Sequence, residues 1–491
     1  VQEQINKNKI QLFFTFIFGI CILCFLIYKA SHTSFTHDEA FTYTRYVHQS
    51  FFDILSFNHP YLNNHILNTL LMKYSEMFFG KHELSLRLPA ILAFVLYSVF
   101  IVLWSLRNFP TLLLPIYLLF TLNPYLLDFF CLARGYGLSI GFLMASIYYL
   151  TTYFKTKKTK YLVLHHIVVL LAIFSNFSML NYFVVSFIVF NIIELIQHHK
   201  AEHSFKSFSF LLVNRINFLC FIIYFIFLFE PIRRLLTITL LDFGGKQGFL
   251  SDTVTSLIED LFYDYAVSSN VILALKIFTV IVFLCSVFIL LRLIFVKKRA
   301  EFINNYNLVF VSCIIIGMIL ISIVQHVIIG NDYYVHRFAI FYYPLFIALF
   351  CVFSFYLIDV KFLKILICTF SMVVIALMIN LYKNHSLTYY KDWKWDMNTN
   401  LIVKQIIQEK KHLPNKNIQL GCNWLFEPTI NFYRYIWNIS EINPAHRRGV
   451  SNNDDYWYVF STDNEFITVK NKNLLFLNKE TKAALLKISK E

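Results

Sequence analysis

The chain has 491 residues, of which 58% are hydrophobic, 19% aromatic and only 15% charged, against about 25% charged in a soluble domain. At a mean hydropathy of +0.58 too few polar residues exist to cover a water-soluble surface, which excludes a soluble enzyme, a disordered chain and a small secreted scaffold. The net charge of +14 does not point to nucleic acid, because the excess cations sit in short turns between apolar runs and form no basic stripe with interleaved aromatics. The expected fold class is a polytopic α-helical membrane protein with a small C-terminal extracytoplasmic α/β domain.

Runs of about 20 apolar residues cross a hydrocarbon core of ~30 Å as helices. In chain order they fall at 10–30, 84–106, 111–128, 134–154, 161–174, 179–197, 207–230, 269–296, 306–329, 338–358 and 362–382, which predicts eleven spans, the fifth of them short. The first run is too long for a signal-peptide core and no A-x-A site follows it, so it is expected to stay in place. Segments on the N-terminal side (1–9, 107–110, 155–160, 198–206, 297–305, 359–361) carry 13 Lys/Arg in 40 residues, and the opposite internal loops carry 7 in 108. Positive charge marks the cytoplasmic side. The expectation is an integral plasma (bacterial inner) membrane protein with its N-terminus inside and its C-terminus outside.

Composition shifts after residue 382. The organisation read from this is a membrane domain over 1–382, whose first outer loop spans 31–83, and an extracytoplasmic α/β domain over 383–491. In that second part the spacing predicts a helix over 395–413, a strand over 417–422, a helix opening at Glu427-Pro428 and short β segments at 456–460, 466–470 and 474–477. Eight of the nine cysteines lie in or beside apolar runs, and the Cys21/Cys24 pair has no histidine nearby, so neither a disulfide framework nor structural zinc is implied.

Ionisable groups at the edges of apolar segments are costly and therefore informative. Here they collect on the outer side: His37-Asp38-Glu39-Ala40, Asn58-His59-Pro60 and Asn63-Asn64-His65 in the first loop, Asp128 and Arg134-Gly135-Tyr136 in the next, Asn176 and Asn181 in the third, and Asp332, His336 and Arg337 before the tenth span. Each has a plainer reading. Asp38 could cap a helix that starts near Glu39, the His and Asn residues could form turns, Arg134 and Arg337 could reach to headgroups, and Tyr389, Tyr390, Trp393 and Trp395 could form an interfacial belt. Their convergence on one face favours a site. A carboxylate beside cations at a membrane surface suits glycosyl transfer from a lipid phosphate: Arg stabilises the phosphate leaving group and the carboxylate takes the proton of the attacking hydroxyl. No Gly-rich phosphate loop or nucleotide-sugar site is visible.

With these motifs in order, the chain resembles the membrane glycosyltransferases of the protein O-mannosyltransferase and lipid A aminoarabinose transferase superfamily, from about residue 10 to 358. The resemblance is carried by H-D-E-A at 37–40, N-H-P-Y-L-N-N-H-I-L-N-T-L-L at 58–71, F-G-K-H-E-L-S-L-R-L-P-A at 79–90, L-A-R-G-Y-G-L-S at 132–139 and H-R-F-A-I-F-Y-Y-P-L at 336–345. It implies inverting transfer from a polyprenyl-phosphate sugar, with Asp38 of the Asp38-Glu39 pair as the catalytic base. The expected donor and acceptor contacts are His37, His59, Asn63, Asn64, His65, Asp128, Arg134, Tyr136, His336 and Arg337. A lipid or glycan acceptor and membrane lipid are the expected partners, with no nucleic acid, no cofactor and no assigned metal.

Two departures stand out. Relatives with H-P-P-L-Y-Y contrast with H-P-Y-L-N-N-H here, and the repeat-containing lumenal insert of eukaryotic mannosyltransferases is absent, which makes a protein acceptor the less favoured one. The rival classes are a transporter or flippase of lipid-linked glycans, which calls for charges deep in broken spans, and a glycan polymerase or ligase.

Overall fold

The apolar runs fold as helices because in lipid each backbone N–H and C=O has to be paired within its own segment. The computed structural model describes residues 2–58, 63–199, 208–237, 244–295, 305–357, 363–410, 417–468 and 472–488. Among these, eight helices are long and apolar enough to span a membrane: Lys9–His32, Glu83–Asn108, Gly135–Thr156, Met179–Ile196, Val213–Leu235, Ser269–Phe295, Tyr306–Ile329 and Lys364–Asn384. The other three predicted spans are apolar helices of 10–17 residues, Pro110–Thr121, Thr159–Ser175 and Tyr342–Leu357. By length and composition alone, eight of the eleven predicted spans qualify among the described residues. The run 111–128 is split at Asn123, whose Oδ1 accepts from Tyr125 N and Leu126 N to cap a new turn, Pro124–Asp128. The run from 338 turns helical only at Tyr342, after a tight turn at His336–Phe338.

Gly135–Thr156 is the most enclosed of these helices and packs against Glu83–Asn108 and Thr159–Ser175. Its first residue must be glycine: a Cβ at Gly135 would lie 1.8 Å from the Ser175 carbonyl oxygen. That close approach fixes the start of the helix, and with it Arg134, against the neighbouring segment. Polar side chains collect at both ends of the bundle, with a further buried group, His165, Ser146, Tyr182, His166 and Asn217, between the helices. One end holds Gln11 donating to the Thr111 carbonyl (2.8 Å) and Asn307 donating to Asn108 (2.7 Å). The other end holds the loop between the first two long helices, Arg134, Arg337 and the C-terminal part of the chain.

In the first loop, Thr36 and Glu39 form a reciprocal capping box that starts a short helix, His37–Thr42. Helices Phe51–Leu55 and Ile66–Phe79 follow, the second ended by Gly80 at φ +85°. The C-terminal part begins with a turn of tight helix, Lys391–Asn398, and a helix, Thr399–Lys410. It continues into a four-stranded sheet of order β1-β2-β4-β3, with β1 Leu420–Cys422, β2 Tyr456–Phe460, β3 Lys472–Leu477 and β4 Ala483–Ile488. β1 pairs parallel to β2, and the other pairings are antiparallel. The helix opened by Glu427-Pro428 runs to Ile436.

Two readings change here. The segment from 466 to 468, rich in β-forming residues, belongs to a helical turn, Asn464–Thr468, which lays Phe466 on Trp457, Val459 and Leu486; residues 469–470 lie outside the described residues. Strand β4, which the pattern did not predict, is central and buried along its first four residues. A strand covered on both faces shows no alternation to read. The core of the C-terminal part is continuous with the first loop: Phe35, Ala40, Tyr43 and Val47 share one cluster with Ile402, Phe426, Phe432 and Tyr458.

Candidate active site

Residues four apart share a helix face, so the short helix His37–Thr42 presents Asp38 and Thr42 together. Thr42 Oγ1 donates to the Asn63 carbonyl (3.0 Å), and Asn63 Nδ2 donates to Asp38 Oδ1 (3.3 Å). Arg134 locks this face in place. Its Nη1 donates to Thr42 Oγ1 (2.8 Å), to the Asn63 carbonyl (2.8 Å) and to the Asp38 carbonyl (3.3 Å), and its Nη2 donates to Asn63 Oδ1 (3.3 Å).

Asp38 Oδ2 is buried and accepts no hydrogen bond, although Arg337 Nη2 lies 3.7 Å away and Arg134 Nη2 3.8 Å away. Both guanidiniums are too far for a bond and close enough to set the charge. Burial acts to raise the Asp38 pKa, but Arg134, Arg337 and His37, helped by the Asn63 amide, hold it below the usual carboxylate value. The carboxylate is ionised with one oxygen left open.

Arg337 differs from Arg134 in what it has left to give. Among the described residues it makes no hydrogen bond; its guanidinium carbon lies 4.9 Å from the Trp393 ring centre and 5.2 Å from that of Phe338, with Asp392 Oδ2 3.6 Å away. Its side chain is 27% exposed. Beside it, Lys391 Nζ donates to Asp260 (2.6 Å), as does His336 Nδ1 (3.2 Å), and that bond raises the His336 pKa against the effect of burial. Tyr125 donates to Asp392 (2.9 Å), whose pKa burial raises. Three carboxylates and three cations thus line one mouth.

The remaining expected residues distribute as follows. His65 donates through Nδ1 to the Ser175 carbonyl (2.8 Å) and leaves Nε2 buried and unpaired; burial and Arg134 push its pKa well down, so it is neutral. Its ring meets Tyr136 edge-on at 5.0 Å, below Phe338. His37 turns away toward the C-terminal part, donating through Nδ1 to the Leu425 carbonyl (2.7 Å), and burial lowers its pKa. Asn64 is buried and accepts from Thr69 (3.0 Å). His59 lies outside the described residues.

Two expected site residues have no free contact to offer. Glu39, expected with Asp38 as catalytic, is fully buried, and its oxygens accept from Arg87 Nε (2.9 Å) and Nη2 (2.7 Å), Ala133 N (2.6 Å), Thr36 N (2.9 Å) and Thr36 Oγ1. It pins the loop and cannot touch a substrate. Asp128, expected to bind donor or acceptor, is likewise spent on Lys29 (2.5 Å), Tyr263 (2.6 Å) and Lys391 N (3.1 Å). The aromatic belt is also revised, since Tyr390 and Trp393 are buried (1% and 2% exposed) beneath Arg87, Lys29 and Arg337.

Sequence reasoning missed Arg87, Lys29, Asp260, Lys391, Asp392 and Asp396. Lys29 and Arg87 carried a signal, being lone charges in apolar runs. Asp396 accepts from His37 N (2.6 Å) and Thr399 Oγ1 (3.1 Å), and burial raises its pKa to about 8. No group of three or more His, Cys, Asp or Glu side chains is arranged to hold a metal among the described residues.

No family model and no curated protein matches the chain. Among solved structures it is similar to ArnT from Cupriavidus metallidurans, a lipid A aminoarabinose transferase. The structure of that protein bound to undecaprenyl phosphate matches at TM-score 0.45 and 10% identity, covering 97% of both chains. Its apo structure matches at TM-score 0.46 and 10% identity, covering 96% of this chain and 97% of that one. A likeness this loose carries no functional argument, and the chemistry is argued from the residues.

Proposed function

We propose that the protein transfers a sugar from a polyprenyl-phosphate donor to an acceptor hydroxyl on the outer face of the membrane, with inversion and with Asp38 as base. The observation that carries this reading is the pairing at the mouth: an ionised, buried carboxylate oxygen with no hydrogen bond, 3.7 Å from a guanidinium with no hydrogen bond among the described residues. An open acceptor beside unspent donors suits a reaction in which a hydroxyl loses a proton while a phosphate departs.

In this reading the acceptor hydroxyl donates to Asp38 Oδ2 and attacks the anomeric carbon. The bond from that carbon to the phosphate oxygen breaks on the opposite side, its electron pair leaves on the phosphate, and the proton passes to Asp38. Arg337 holds the phosphate through paired hydrogen bonds. Coupling follows from the distances: once a phosphate takes up the charge of Arg337, Asp38 loses one of the cations that depress its pKa and becomes a stronger base when the donor is bound. Asp392, whose pKa is already raised, can take a proton as the phosphate arrives.

The lipid portion has a matching place. An apolar cavity of about 230 Å³ lies among the helices, lined by Leu257, Leu261, Phe278, Tyr343, Phe346 and Leu377. Leu257 and Leu261 share their short helix with Asp260, the residue that Lys391 and His336 bind. In this reading the prenyl chain occupies that cavity and its phosphate meets Arg337, Lys391 and His336.

The test is purified protein in lipid nanodiscs with a panel of polyprenyl-phosphate sugars, scored for release of polyprenyl phosphate. Turnover with one of them, lost in Asp38→Asn, is the expected result. No turnover with any lipid-linked sugar, or full turnover in Asp38→Asn, refutes the reading.

A further inference from the structure

On the short helix His37–Thr42, one step along the backbone from Asp38 turns to a different face. His37 and Phe41 point at the C-terminal part, where the His37 ring meets Trp424 edge-on at 5.7 Å and the Phe41 ring lies 5.4 Å from the guanidinium of Arg447. His37, whose ring Trp424 meets, directly precedes Asp38 in the chain.

At this point the C-terminal part holds a cleft of about 230 Å³, lined among others by Asn423, Trp424, Arg447, Arg448, Asp463 and Glu465. Its position follows a general rule for α/β sheets, in which ligands bind outside the carboxyl ends of parallel strands. β1 and β2 are the parallel pair; Asn423 and Trp424 follow the end of β1, and Asp463 and Glu465 follow the end of β2.

The lining is prearranged and still has groups to offer. Trp424 is 52% exposed, although its polypeptide turn is fixed by Asn423, whose Oδ1 accepts from Leu425 N (3.1 Å). Arg447 spends only Nε, on Glu427 (3.1 Å), and lies 5.8 Å from the Trp424 ring, which leaves Nη1 and Nη2 without an acceptor among the described residues. Asp463 Oδ2 accepts from Asn423 Nδ2 and Phe460 N (both 3.0 Å), while Oδ1 accepts from no protein donor. The loop carrying Arg447 and Arg448 is tied down by Asp454, fully buried, which accepts from Arg448 Nη2 and Ser451 N (both 2.6 Å).

We infer that this cleft is a saccharide-binding subsite that holds the sugar portion of a glycan acceptor. An exposed indole offers a flat apolar face to the C–H face of a pyranose, and a guanidinium beside a carboxylate pairs with neighbouring hydroxyls as donor and acceptor. The assignment to the acceptor rests on the transfer reaction proposed above; saccharide binding itself does not.

The test is a glycan array of neutral, amino and uronic oligosaccharides probed with the full-length protein in detergent, compared with Trp424→Ala, Trp424→Tyr and Arg447→Ala. The expected result is binding to at least one class, weakened at least tenfold by Trp424→Ala and by Arg447→Ala and largely restored by Trp424→Tyr. Restoration separates the role of the aromatic face from a folding defect. No binding anywhere on the array, or equal binding by wild type and Trp424→Ala, overturns the subsite. The donor-release assay with wild-type protein reports separately on the transfer reaction. If release fails while the array binds, the transfer reading falls and the saccharide subsite stands; release with no array binding gives the reverse.

Discussion

Replacing Arg337 by lysine keeps the positive charge near Asp38 and removes the planar fork. The guanidinium lies near the rings of Trp393 and Phe338, 3.7 Å from Asp38 Oδ2 and 3.6 Å from Asp392 Oδ2, with no hydrogen-bond acceptor among the described residues. An ammonium can keep most of the Coulomb interaction with Asp38, because at these distances it depends mainly on charge. What it gives up is the second of two parallel bonds to phosphate, and a hydrogen bond to a charged group is worth about 1.5–3 kcal/mol. At about 1.4 kcal/mol per factor of ten, Arg337→Lys should lower the apparent donor kcat/KM by roughly 10- to 100-fold. The KM for acceptor should hold. Steady-state kinetics with donor and acceptor varied separately in nanodiscs distinguishes the two. Unchanged donor dependence and turnover would refute the phosphate clamp, and a loss confined to acceptor KM would move Arg337 to the other substrate.

Asp38→Asn should cost ~10²–10⁴ in kcat while leaving donor binding measurable by equilibrium dialysis with labelled lipid; near-normal turnover removes Asp38 from the mechanism. Glu39→Gln should act on stability, because it leaves the fully buried Arg87 without its counter-charge, a change worth about 3–5 kcal/mol; it is checked by the thermal midpoint in detergent, and a normal midpoint with lost turnover would return Glu39 to the chemistry. For Asp396 the native pKa is about 8, against an ordinary value of 3.8, so between these the native state holds a proton that the unfolded state has released. Stability therefore falls as pH rises through that window and levels off above it. Asp396→Asn should flatten the dependence of the unfolding temperature on pH from 5 to 9, and an unaltered slope contradicts the buried-acid assignment. A cysteine at Asn452, exposed on the C-terminal part, should react with a membrane-impermeant thiol reagent on intact spheroplasts; labelling only after lysis would put this end of the bundle inside.

The membrane class, the helical runs and the gathering of polar motifs at one end were legible in the sequence, because apolar length and charge asymmetry are local properties that lipid enforces directly. Asp38, Asn63, Arg134 and Arg337 could be singled out as polar residues at segment edges. Their division of labour could not. In the sequence Asp38 and Glu39 are equivalent neighbours; the helix sends one toward Asn63 and the other into Arg87, so one carboxylate keeps an open oxygen and the other has none. Arg134 and Arg337 also read alike until packing spends the donors of the first on Thr42 and Asn63 and lays the second, unspent, on Trp393. The part played by the C-terminal chain was the least visible. Lys391, Asp392 and Asp396 meet Asp260, Tyr125 and His37, more than a hundred positions earlier, and Trp424 reaches His37 across nearly four hundred. Contacts of that kind leave no periodicity or spacing in the chain, because only the docking of one folded part on another brings the partners within range.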